Sequence, residues 1–343
     1  METTTPERTP VGRVIALSAG LALIVGIITL AFAWPSAGMG PNGIPIAVIG
    51  PDQAAEQVQD QLDAVEPDGF EVSTAADADG ARTLIEEREA YAALQIAPDG
   101  VTVYTATAAS PTVARLITGM AEQMAAQAGQ AAGEPGSVRV AVEDLVPLPA
   151  DDPNGAGLAA AGLPLAAGGI IMAVLIGSAV RGSGRQIAAA ILAPLAIGAG
   201  VAAVLLFVLE SLDGDYLAIS GAIALATAGA GWLILGLRKL LGNPGIAVGA
   251  IIVMLVGNPL SGMTGAPELL PAPWGAFGQL LPPGAGATLL RSTAYFEGHG
   301  GQAAVWTLAA WAAVGAVLFA VGAIRAKGEG VSAEKSEAVP VPA

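Results

Sequence analysis

Apolar positions gather in six runs along this chain: Val14 to Ala33, Leu158 to Val180, Ile187 to Leu209, Tyr216 to Leu237, Gly245 to Leu260 and Ala303 to Ile324. A helix needs about 20 apolar residues to cross bilayer hydrocarbon, so the pattern predicts six transmembrane helices, the fifth short. Between the first two runs the pattern changes to short β-like segments alternating with polar helical ones. Strands are expected at Ile44 to Ile49, Phe70 to Thr74, Tyr91 to Ile96, Val101 to Ala106 and Val138 to Val146. Helices are expected at Asp52 to Val65, Ala78 to Glu89 and Thr112 to Gln130, and Pro98-Asp99-Gly100 reads as a hairpin turn. This order describes a mixed α/β domain large enough to bury its own core.

Cations orient the spans. Arg8, Arg13, Arg181, Arg185, Arg238, Lys239, Arg325, Lys327 and Lys335 all fall in one alternate set of loops and tails, whereas Arg291 is the lone cation of the 258–302 loop. The positive-inside rule then puts both termini in the cytoplasm and the α/β domain outside. The expected fold is a multi-pass α-helical membrane protein with an extracytoplasmic α/β domain inserted between helices 1 and 2. Its parts are a cytoplasmic N-terminus (1–13), helix 1 (14–34), the external domain and linker (35–156), a five-helix membrane domain (157–325) and a disordered cytoplasmic tail (326–343). Ala31-Phe32-Ala33 also has the form of a signal cleavage site, but the apolar run before it is longer than a signal core.

Composition agrees: 54% hydrophobic residues, 13% charged and a mean hydropathy of +0.64 are those of a membrane chain. Residues 35–156 hold nineteen acids and four arginines, so this segment carries the whole net charge of −15. There is no cysteine and one histidine, His299, in a Gly-rich loop. Disulfides, thiolate nucleophiles and His-pair metal sites are thereby removed. No phosphate-binding GxxxxGK[ST] occurs, and Asp77, Asp79 and Gly80 only faintly suggest a calcium loop. No enzyme activity, cofactor, metal or nucleic-acid partner is expected. The spans also lack ionisable side chains, Glu210 at an outer edge coming nearest, which argues against a proton relay within this chain.

Small residues at four-residue spacing, Ala222, Ala226 and Ala230, then Gly245 and Gly249, suit close helix packing within the chain or with a second copy. Asp152, Pro153 and Gly155 belong to a turn-rich linker into helix 2. The Pro-rich 258–302 segment is too apolar for an open loop and too broken for a span. Short helices in the outer interface are expected there, with Trp274 at headgroup depth and Arg291 reaching water or phosphate. Asn258, Pro259, Pro267, Pro271, Trp274, Phe277, Pro282, Pro283 and Arg291 are its candidate gate or interfacial residues.

Three stretches, ARTLIEEREAYAALQIAPDG (81–100), DPNGAG (152–157) and NPLSGMTGAPELLPAPWGAFGQLLPPGAGATLLRS (258–292), resemble ABC-2 type transporter membrane subunits. The likeness is to the YhgE/Pip-like branch, which has a large external domain after the first helix. It implies a homodimeric permease of the bacterial plasma membrane that exports a lipid-like or other amphiphilic substrate with a separate ATPase. The other reading is a non-transporting scaffold or receptor whose external domain binds an envelope protein, favoured by the short cytoplasmic loops.

Overall fold

The computed structural model describes residues 9–97, 100–131, 133–134 and 136–337. Five helices among them are long and apolar enough to cross a membrane: α1 (Val11–Ala37), α5 (Ala156–Ala179), α6 (Ser183–Phe207), α7 (Tyr216–Leu241) and the first 27 residues of α11 (Gln302–Glu337). The short run expected at 245–260 forms an apolar helix, Asn243–Gly257. It begins as α8 (Asn243–Ala250) and continues as a π-helical stretch, Ile251–Gly257. At about 1.5 Å per residue this helix is well short of the roughly 30 Å of bilayer hydrocarbon.

Between α1 and α5 in sequence, five strands form one mixed sheet: β1 (Ile44–Ile49), β2 (Phe70–Ala75), β3 (Ala92–Ala97), β4 (Gly100–Thr105) and β5 (Arg139–Asp144), in the order β2-β1-β3-β4-β5. β1 runs parallel to both β2 and β3, with Ile46 opposite Val72 and Ala92. β3 and β4 are antiparallel around the expected hairpin, of which residues 98 and 99 lie outside the described residues. The unbroken apolar run of β1 marks a strand covered on both faces. Helices α2 (Asp52–Asp63) and α3 (Ala78–Glu86) pack on β1, and α4 (Pro111–Ala131) packs on β4 and β5. Ile44, Ile46, Val48, Ile85, Val103 and Ile117 are fully buried at the centre. Asp77, the suspected start of a calcium loop, is the N-cap of α3, its carboxylate accepting the Gly80 amide at 2.8 Å.

Among the apolar helices, α7 is the hub, packed against α5, α6, α8 and α11. Ala222, Ala226 and Ala230 are buried on it. Ala230 faces Gly169 of α5, and a Cβ on Gly245 or Gly249 would collide with α7 at Leu237 or Ile234. The small residues therefore join helices of the same chain. α1 stands apart with its apolar side chains exposed along nearly the whole length, as suits a helix facing lipid. At the C-terminal end α11 continues to Glu337 where the sequence suggested a disordered tail, and residues 338–343 lie outside the described residues. Its Ala, Lys and Glu are good helix formers, and extending a nucleated helix is easy.

Candidate functional site

After the π-helical stretch the chain passes through a 3-10 turn (Pro267–Leu269), α9 (Trp274–Gln279) and α10 (Pro282–Tyr295). Pro282 and Pro283 sit in the first turn of α10, where a missing amide proton costs nothing. This broken segment fills the junction between sheet and spans. Ala266, Leu269 and Phe296 belong to the same buried cluster as Ile44, Phe70 and Val103 of the sheet. Backbone bonds reinforce the seam, from Gly40 N to Leu269 O at 3.0 Å and from Asn42 N to Glu268 O at 2.9 Å.

Polar groups converge at the junction from both sides. Arg88, just after α3, has a left-handed backbone (φ 64°) that turns the chain back towards β3. Its guanidinium donates to Ser292 Oγ and to Thr288 O on α10, and lies 5.3 Å from the Phe296 ring centroid. Tyr91, three residues on, donates its hydroxyl to Glu268 Oε2 at 2.7 Å. From α10 itself Arg291 donates to Met263 O at 2.8 Å, while its Nη1 is buried with no hydrogen-bond partner among the described residues. Thr288 donates to Gln279 at 2.6 Å, and Gln279 in turn to Ser261 O at 3.2 Å. A cavity of about 190 Å³ is left between them, lined by Arg88, Tyr91, Glu268, Gln279 and Thr288 among others.

Burial dominates the proton equilibria here. Desolvation, then the neighbouring Arg88 charge, lowers the Arg291 pKa to about 10. Arg88 is shifted down for the first of these reasons. Tyr91 is pushed well up by desolvation and then by the Glu268 charge; Tyr295 is pushed up by desolvation and then by Asp152.

A second, larger space opens on another side of α10. This cleft of about 860 Å³ lies between the chain after β5 (Leu145, Val146), the turn before α7, and α7, α10 and α11. Ala218, Gly221, Ala222, Leu225 and Val305 give it apolar walls, and Asp213, Asp215 and Glu297 bring carboxylates.

The residues expected to form a gate are thus placed unequally. Pro282, Pro283 and Arg291 are buried, and Pro267 lines the 190 Å³ cavity. Arg291, expected to reach water or phosphate, is only 2% exposed. The reason is that α10 packs against α7 and α11 and the sheet lies over the segment, so its side chain ends on a carbonyl. Trp274 forms edge-to-face pairs with Trp34 of α1 at 5.5 Å and Phe277 at 6.0 Å, and Phe277 stays 41% exposed. Gly38 packs close on Pro271. Asn258 and Pro259 lie in the turn after the short helix, where Asn258 O accepts from Ser261. In the linker, Asp152 receives the Ala156 and Gly157 amides at 2.7 Å each, Gly155 holds φ 66°, and Pro153 is exposed.

Arg88, Tyr91, Glu268 and Ser292 were not singled out from sequence. A signal existed for two of them, since Arg88 is one of four arginines in an acidic domain and Glu268 is the sole acid from 258 to 296. His299 is exposed in its loop, and among the described residues no group of acids and histidine is placed to hold a metal. Comparison with known protein families, with characterised proteins and with solved structures finds no match to this chain.

Proposed function

We propose that this chain is the membrane subunit of an ABC-2-like exporter that moves an amphiphilic molecule outward across a bacterial plasma membrane, paired with a second copy and driven by a separate ATPase. In this reading the short helix at 243–257 completes a set of six membrane helices. Both termini are cytoplasmic, and the sheet stands outside over the proline-rich segment. The observation that carries the proposal is the 860 Å³ cleft beside α10, within the roughly 300–1,000 Å³ of small-molecule sites. Its apolar walls suit a hydrocarbon portion, and its carboxylates suit a hydroxylated or cationic head.

Gly221 lines this cleft with open space where a Cβ would stand, so Gly221→Leu fills the cleft without disturbing the fold. The wild-type chain purified in mild detergent should retain an amphiphile in native mass spectrometry, with an ATP-hydrolysing subunit co-purifying. Gly221→Leu should lose the amphiphile and keep the ATPase. A wild-type preparation with neither would refute the proposal.

A second reading, a scaffold or receptor for an envelope protein, is favoured by one feature. α5 and α6 are joined by Val180–Gly182 alone, and α7 and α8 by Gly242, which leaves little surface for a cytoplasmic ATPase. It predicts cross-linking from the sheet to an envelope protein with no ATPase bound.

A further inference from the structure

The junction between sheet and proline-rich segment holds more positive charge than it neutralises. Arg88 and Arg291 bring two guanidiniums together, and the carboxylate that acts on both is Glu268. That carboxylate already accepts the Tyr91 hydroxyl at 2.7 Å. Arg291 ends on a neutral carbonyl, and its Nη1 is buried without a partner among the described residues. A buried guanidinium left one donor short is costly, because water no longer solvates it. Beside these groups is a cavity of about 190 Å³ whose lining includes Arg88, the Gln279 amide and Thr288.

We propose that this cavity binds a compact oxyanion of the phosphate class, carried on a lipid headgroup or free in solution. Arg88 is the guanidinium that lines it and makes the charge-assisted contact, with the Gln279 amide as a further donor. Arg291, close to Arg88 though not in the cavity lining, supplies a second positive charge, which Glu268 has to offset together with that of Arg88. Glu268 lines the same cavity, but the Tyr91 proton turned onto it lessens its repulsion. An anion here would tie β3, α10 and the turn at Pro267 together, linking the sheet to the helix beside the large cleft. The site does not depend on the transport reading, because a scaffold could use it equally.

The test uses the full chain in detergent and in phosphatidylcholine nanodiscs. Inorganic phosphate, compared with chloride at equal ionic strength, should raise the unfolding temperature saturably. Arg88→Gln should weaken that binding about tenfold or more, and Arg115→Gln, on the exposed face of α4, should not change it. If instead phosphate has no effect but phosphatidic acid added to the nanodiscs is retained by the wild type and lost from Arg88→Gln, the anion is a lipid headgroup. Failure of the wild type to bind either probe, or equal binding by Arg88→Gln, overturns the proposal. Should Arg88→Gln not fold, Gln279→Ala is read in its place: severalfold weaker binding supports the site, and unchanged binding overturns it.

Discussion

The Tyr91 hydroxyl donates to Glu268 Oε2 at 2.7 Å, across 177 residues of sequence. This bond joins the start of β3 to the proline-rich segment in a partly buried junction. Hydrogen bonds to a charged group contribute about 1.5–3 kcal/mol. Tyr91→Phe should therefore destabilise the protein by about 1–3 kcal/mol, and should speed protease cleavage within 258–301 before global unfolding. Cleavage and unfolding that keep the wild-type order and rate would show that this bond does not hold the junction.

The same tyrosine makes the junction sensitive to alkali. Tyr91 and Tyr295 have folded pKa values raised from 10.0, so each contributes stability that is complete below pH 10 and is lost as pH rises beyond it. Arg291 runs the other way. Its pKa falls from 12.5 to about 10, so the cost of burying its charge is full below pH 10 and is relieved above it. Phenolate absorbance in the folded protein should show a component ionising well above pH 10 that shrinks in Tyr91→Phe. Ionisation of Tyr91 at pH 10 in the folded protein would contradict the buried Tyr91–Glu268 contact.

Asp152 caps α5 with two amide contacts, Ala156 N to Oδ1 and Gly157 N to Oδ2. Asp152→Ala leaves both donors at a partly buried helix start without these acceptors and should cost about 1–2 kcal/mol. Asp152→Asn keeps an acceptor and should cost less. Chemical denaturation of the two variants tests the ranking, and equal losses would mean that charge rather than capping matters.

The close contact of α7 and α11 depends on Gly236, where a Cβ would run into the carbonyl of Gly315. Gly236→Ala must push two backbones apart, at about 1–3 kcal/mol. Gly200 in α6 has open space, and Gly200→Ala should be neutral or slightly stabilising. Thermal unfolding monitored by tryptophan fluorescence separates the two, because Trp232 packs edge-to-face on Phe319 of α11 at the same helix pair. An unaffected Gly236→Ala would argue against this packing.

Local signals carried much of the architecture. The short β-like runs of β1 to β5 and the polar helices between them fall within a few residues of where the sequence predicts them, since β propensity and helix-breaking residues act over a handful of positions. Five of the six apolar runs became long apolar helices for the same reason. The 245–260 run forms a helix of about the length expected, 243–257, which Asn258-Pro259 and the turns after it stop. The burial of Arg291 is not legible in the sequence, because its neighbours in the chain indicate only an apolar helix and its burial depends on what packs over that helix.

By itself the sequence determined which segments are apolar helices, which alternate as strands and where charge lies, because each depends on residues close together in the chain. The tertiary structure alone decided that Arg88 meets Ser292 across 204 residues, that Tyr91 meets Glu268, and that an Arg291 nitrogen is buried without a hydrogen-bond partner among the described residues. Such meetings depend on how sheet and helices dock, and docking is governed by the summed shape of many apolar side chains rather than by any local pattern.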